Sequence, residues 1–277
     1  MTIVATGPSA SAATSADKGQ IGRLLRSWRE RRRVSQLELA LRADSSARHI
    51  SFIETGRSRP SEEMVLRLAE HLQVPVRERN ALLLAAGYAP HYPETPLDDP
   101  ALDALRDGME RLIQGYEPYP ALVVDAGYTV VASNRGIAML LEGVAEELMT
   151  PAPNAMRLTL HPGGLAPRIR NLREWRGHLL AQMERQIALD RSDQLRALYE
   201  EVAGYPVTED APGEEPAGPV AYFALPLRIE HAGRVLSFVS SISTFNTPMD
   251  VTVAELAIET FLPADPATAK YLHTLAG

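Results

Sequence analysis

Arginine gives this sequence its clearest chemical potential. Arg23, Arg26, Arg29, Arg31, Arg32, Arg33, Arg42, Arg48, Arg57 and Arg59 all fall within residues 21–59. A guanidinium is permanently charged, and its planar fork of donors matches phosphate oxygens and the acceptor edge of a base. The acids in that stretch are Glu30, Glu38, Asp44 and Glu54, so it carries a net +6 within a chain of −7, leaving −13 on the remainder. A basic module joined to an acidic body is the charge pattern of a nucleic-acid-reading head on a body with a different task. A solvated face is the plainer reading of any arginine run. Arg31–Arg33 fit either that reading, with the helix dipole complemented, or a place beside a phosphate backbone.

Other chemistries are poorly provided for. With no cysteine there are no disulfides, thiol nucleophiles or cysteine-based zinc sites, which fits a reducing cytoplasm. The seven histidines are scattered without metal spacing, so no metal site is expected. Nucleophile-elbow, phosphate-loop and His-Glu-x-x-His patterns are missing. His161-Pro-Gly-Gly is similar to an oxyanion-type loop but has no accompanying nucleophile, and it reads as a turn. No catalytic residue is therefore expected. No apolar run approaches the roughly 18 residues of a membrane span, so no membrane partner is expected.

The elements that must position the arginines follow from periodicity. Ser35–Pro60 reads as two short helices with a polar break at Asp44-Ser-Ser46, with Ser46 capping a helix that carries Ile50 and Ile53 inward. Ala40 is small enough for two helices to cross closely, and Gly56 supplies the stop. This is a helix-turn-helix with a basic exit. A preceding helix is expected over Gln20–Arg33, one opening at Ser61 and closed by Pro75, and a fifth over Val76–Ala86. Residues 1–19 read as a disordered tail, 20–87 as an all-α domain, 88–100 as a proline-rich linker and 101–277 as a second, α+β domain.

In that second domain a helix is expected over Ala101–Gly115, with strands at Ala121–Val124 and Tyr128–Ala132 around Asp125-Ala-Gly127. Helices are expected from Asn134 to Leu141, over Asn171–Leu189 and over Ser192–Ala203. Thr208–Gly218 reads as a loop, and Val220–Ile229 with Arg234–Thr244 as a hairpin. A last strand or turn near Met249–Thr252 leads to a short helix and a tail.

Ser35-Gln36, Glu38-Leu39-Ala40, Ile50 and Ile53-Glu54-Thr55-Gly56-Arg57 resemble the helix-turn-helix of phage-repressor-like XRE-family regulators. The departure is Asp44, where the family has a turn glycine; aspartate tolerates the left-handed conformation at some cost. Pro118-Tyr-Pro-Ala-Leu-Val-Val-Asp125, His161–Pro167, Asn171–Trp175 and Phe245-Asn-Thr-Pro248 resemble the ligand-binding domain of MmyB-like transcription regulators. That resemblance implies a PAS-like five-stranded antiparallel sheet enclosing a small-molecule pocket, with fatty-acid-like ligands the leading class and no other cofactor.

The family lays its second motif helix in the major groove, which implies DNA contacts from Ser46, Ala47, Arg48, Ser51 and Phe52. Arg48 is the candidate for a bidentate guanine contact, while Ala47 and Phe52 suit thymine methyls. Gln36 matches the family's phosphate-binding residue, and Arg57 and Arg59 are further phosphate candidates. His49 fits packing or the DNA backbone, and Phe52 also fits a dimer contact. For an acidic amphiphile, the donors considered are Arg168, Arg170, Asn171 and Arg173, with Trp175, His178, Leu179 and Met183 on a cavity wall. Phe223, Leu225, Phe238 and Ser240 would form its floor. The expectation is a cytoplasmic, nucleoid-associated homodimer on an inverted-repeat operator, responsive to a small-molecule effector. The alternatives are a second domain that only dimerises or binds protein, and an enzyme with a DNA-binding appendage.

Overall fold

The computed structural model describes residues 19–190, 192–206 and 224–276. The chain divides after Pro93 into two units. The first holds five helices, α1 (Gln20–Arg31), α2 (Gln36–Arg42), α3 (Ala47–Glu54), α4 (Glu62–His71) and α5 (Val76–Ala85). Serines set three of the starts: Ser35 Oγ accepts from Glu38 N, Ser46 Oγ from His49 N and Ser61 Oγ from Met64 N, at 3.1–3.2 Å. Each cap satisfies an amide that the first turn leaves unpaired. Ile21, Leu25 and Trp28 of α1 meet Leu39, Ala40, Ile50, Ile53, Leu68 and Leu83 in one core.

Two of the left-handed residues of this unit flank the motif's helices. Arg33, with φ +55°, stops α1 two residues before the expected Arg33 end. Asp44, with φ +49°, makes the turn between α2 and α3 in the conformation its glycine-less sequence must strain to reach.

The second unit begins on α6 (Asp103–Gln114) and continues through β1 (Ala121–Val124), β2 (Val130–Ser133), α7 (Arg135–Leu140), α8 (Ala155–Leu160), α9 (Leu172–Asp190) and α10 (Asp193–Ala203). Then come β3 (Leu227–His231), β4 (Arg234–Thr244), α11 (Val251–Glu255), β5 (Ala257–Pro263) and α12 (Pro266–Ala276). The sheet is five-stranded, antiparallel and ordered β2-β1-β5-β4-β3. One face packs Ala121, Val123 and Ile258 on Met109 and Ile113 of α6. The other face carries Leu122, Phe238 and Phe261 into the larger core beneath α7–α10.

Several expectations need correction. Met249–Thr252 is neither strand nor turn: Asp250 Oδ1 accepts from Thr252 N and Val253 N and starts α11. Beyond α11, the segment expected as a short helix and tail holds β5, the middle strand of the sheet, before α12. The β1–β2 turn is wider than expected, since Asp125 Oδ1 takes Gly127 N at 2.8 Å and Thr129 N at 2.9 Å and delays β2 to Val130. An unanticipated helix, α8, is capped by Asn154, whose side chain accepts from Met156 N and Arg157 N. The tail, the Thr208–Gly218 loop, the start of the Val220–Ile229 strand and Phe223 lie outside the described residues.

The proline-rich stretch is tied down within each unit. Asn80 Oδ1 accepts from His91 N at 3.0 Å and Tyr92 N at 3.1 Å, and Asn80 Nδ2 donates to Tyr92 O at 2.7 Å. Thr95 donates from N and Oγ1 to Asp250 Oδ2, at 3.1 and 2.6 Å.

Candidate nucleic-acid interface and apolar cavity

The start of α3 is presented on a stiff support. Gly22 lets α1 cross directly against the end of α3: a Cβ there would stand 2.5 Å from Ile53 O and 2.6 Å from Glu54 O. Glu54, at that same end, is buried and accepts from Arg29 Nε at 2.6 Å, Arg29 NH2 at 2.9 Å and Gln36 Nε2 at 2.8 Å. Arg29 NH1 also donates to Val34 O at 3.0 Å, and the Glu54 hydrogen bonds hold its guanidinium above its ordinary pKa. Three helices are thereby locked around the base of α3.

On the outward face Arg48 is exposed, and Ser51 and Phe52 are half-buried, as helical neighbours. Two guanidinium groups lie over the Phe52 ring, with Arg48 Cζ at 5.2 Å and Arg57 Cζ at 5.9 Å from its centroid. Such cation–ring contacts hold both arginines near the helix. The remaining expected contacts have other employment. Ser46 serves as the cap, Ala47 packs against the core, and Gln36 is bonded to Glu54. Arg59 donates to Ala86 O at 2.8 Å and Gly87 O at 3.1 Å while lying over Tyr88, so it clamps the end of α5. That use competes with the phosphate role expected of it. Arg32 similarly closes α4 through Leu72 O and Gln73 O, and Arg31 covers Trp28.

Gly22→Ala is expected to cost about 1–3 kcal/mol, because backbone carbonyls cannot rotate away as side chains do. It should also weaken duplex binding by shifting α3. Urea unfolding and a binding titration on the same preparation check both effects.

The second unit holds a partly open cavity of about 100 Å³ between the sheet and its helical cover. Leu122, Phe261 and Glu259 form its floor, Ile137 and Leu140 of α7 and Met156 of α8 one wall, and Trp175 and Leu179 of α9 another. Asn134 sets the α7 wall by capping Ile137 N, receiving Ala121 N, and donating to Ile113 O and Tyr119 O. Polar lining is sparse: Ser133, Thr159 and Glu259. Burial pushes the Glu259 carboxyl up to about 7.

Among the twelve ligand candidates, Trp175 and Leu179 line this cavity. Met183 and Phe238 are buried in the surrounding core, and Ser240 sits beside Phe261 on the sheet without reaching the cavity. His178 faces outward. Asn171 staples α9 to β3, donating to Pro226 O at 2.8 Å and accepting from Arg228 N at 3.0 Å. Arg168 donates to Leu140 O at the end of α7, and burial lowers its pKa. Arg170 pairs with Glu230. The wall residues on α7 and α8 were missed; the Asn134 and Asn154 caps before apolar runs are the signal that places them.

A model of the MmyB-like transcription regulator ligand binding domain matches residues 105–275. The chain belongs to the MmyB-like transcription regulators. A helix-turn-helix domain model matches residues 20–82 of this regulator, covering α1–α5 up to Leu82. No curated protein matches it. Among solved structures, the clp gene regulator ClgR from Corynebacterium glutamicum is 25% identical over 36% of this chain and 94% of its own, with a TM-score of 0.23. An RNA-binding light-oxygen-voltage receptor is 14% identical over 96% of this chain and 65% of its own, with a TM-score of 0.26. Family membership rests on the two domain matches, with a helix-turn-helix head and a ligand-binding domain in one MmyB-like regulator. Among the described residues, no helix is long and apolar enough to cross a membrane, and no acid–histidine group is arranged to hold a metal.

Proposed function

We propose that this MmyB-like regulator reads a specific operator with α3 and changes its affinity for it when an apolar small molecule occupies the second unit. The observation that carries the reading is a basic, outward-facing α3 start in one unit and an apolar cavity in another unit of the same chain. Arg48 supplies a fork for guanine O6 and N7, Phe52 an apolar contact for a thymine methyl, and Arg57 a phosphate contact. One head of this size offers little specific surface. A homodimer on an inverted repeat, with half-sites about 10 base pairs apart, fits that constraint.

Coupling runs through the chain itself. Only Pro93 and Glu94 separate Tyr92, held by the first unit, from Thr95, held by the second. A ligand that binds two arrangements of the second unit unequally biases the heads by that difference alone. The lining supports an apolar chain, such as a fatty acid would bring. The working compartment is the cytoplasm, on the nucleoid.

Arg48→Ala is expected to lose about 1–3 kcal/mol of discrimination at one base position, with little loss on random duplex. Arg57→Ala should weaken all duplexes alike and lower the salt slope by about one. Titrations of both variants on a selected and a scrambled duplex separate the roles. Equal weakening of Arg48→Ala on both duplexes would make Arg48 a phosphate contact.

A further inference from the structure

Arg168 is a half-buried cation held beside the cavity without a carboxylate of its own. Its NH2 donates to Leu140 O and its backbone amide to Leu165 O, and Leu140, Leu141 and Leu165 all line the cavity. Among the described residues no hydrogen bond or ion pair engages its Nε or NH1. Burial lowers its pKa, and the acid that opposes this, Glu142, is 74% exposed and lies 3.9 Å from His231 Nε2. Neighbouring arginines are matched: Arg157 pairs with Glu201 and Arg170 with Glu230. An ionised acceptor binds a guanidinium about twice as strongly as a neutral carbonyl does. Strand register sets Arg168 and Glu259 at opposite ends of the sheet. Ile169 bridges Ile229, which faces Leu236 on β4, whereas Glu259 faces Ile242, roughly 20 Å further along that strand. Leu227 and Phe261, both in the cavity lining, fall between the two ends.

Resting on the ligand-binding reading above, we infer that Arg168 anchors the acidic head of an amphiphile and leaves Leu140 O to do so. The apolar chain then lies over Leu227 and Phe261 and points toward the Glu259 end. Leu140 is the last residue of α7, a wall of the cavity. Withdrawing the guanidinium from its carbonyl loosens that helix end. A neutral ligand of the same length fills the cavity and leaves α7 closed. The second unit thereby distinguishes an acid from the corresponding alcohol by the state of one helix end.

The test is calorimetric titration of the full chain at about pH 8 with hexanoate and hexanol, and amide hydrogen exchange with each bound. The expected result is hexanoate binding at least about tenfold tighter than hexanol. Faster exchange is expected, with hexanoate alone, at Leu141 and Glu142, whose amides bond back to Ile137 O and Met139 O of α7. Arg168→Gln keeps an amide donor for Leu140 O and loses the hexanoate advantage, while its binding of hexanol shows that it is folded. Hexanol matching hexanoate on the unaltered chain overturns the anchor role, as does a hexanoate advantage that survives in Arg168→Gln. Exchange at Leu141 that hexanoate leaves unchanged overturns the release of α7. Failure of both probes to bind overturns this inference together with the ligand-binding reading beneath it.

Discussion

Replacing Glu54 by alanine is expected to lower the stability of the N-terminal unit by about 3–5 kcal/mol, a large fraction of the roughly 5–15 kcal/mol of a typical domain. The Glu54 side chain is 3% exposed and that of Arg29 is 11% exposed. Truncation leaves the Arg29 guanidinium buried with the Val34 carbonyl as hydrogen-bond acceptor and the Glu30 carboxylate 4.0 Å away, and frees the Gln36 amide. The loss comes from the stranded cation rather than from the pair's net attraction, which desolvation largely offsets. Glu54→Gln keeps the volume and one acceptor, so an intermediate loss is expected. Arg42→Ala removes a pair with Glu38 that is nearly half exposed on both sides; a loss within ~1 kcal/mol is expected there. Calorimetric melting of the three variants checks the order. A cost below ~1 kcal/mol for Glu54→Ala would mean that water reaches the site and that the base of α3 is held by packing alone.

Trp175→Ala is expected to cost the second unit a similar 3–5 kcal/mol. Its indole is 2% exposed and sits at the junction of the cavity wall and the core formed with Leu179 and Met183. Its loss adds empty volume to a cavity that already exists, and the surrounding helices relax only partly into such space. The enlarged cavity should then accept a ring-sized apolar guest. Indole is expected to raise the melting temperature of Trp175→Ala more than that of the unaltered chain, by mass action on the folded state. A variant with the expected loss but no gain from indole would indicate a collapsed site.

The head was legible in the sequence because its signals are local. Ser35, Ser46 and Ser61 each precede an amphipathic run, and the Asp44 turn carries the strain its side chain predicts. The Glu54–Arg29–Gln36 lock was not legible as such, since its members are up to 25 positions apart and read separately as motif letters and surface charge.

The cavity was legible only as a consequence of the family resemblance, and of the residues named for it Trp175 and Leu179 line it. Trp175, Leu179 and Met183 recur every four residues and share the buried face of α9, yet the cavity reaches only the first two. Period alone fixes which face turns inward and cannot say how far along it a cavity extends. Arginines after Pro167 were expected as ligand donors on charge, whereas Arg168 closes α7. β5 escaped because Glu259 interrupts an apolar strand. A carboxyl in the middle of a sheet conflicts with local preference, and such conflicts gather where function makes demands.

The most direct test of the central claim is guanine-N7 methylation interference on a duplex selected by the purified chain from a random pool. The account predicts interference at one guanine in each of two symmetric half-sites about 10 base pairs apart, and loss of that signal in Arg48→Ala with the flanking phosphate contacts retained. Interference that is absent, or unchanged when Arg48 is removed, would contradict the assignment of α3 as the helix that reads the bases.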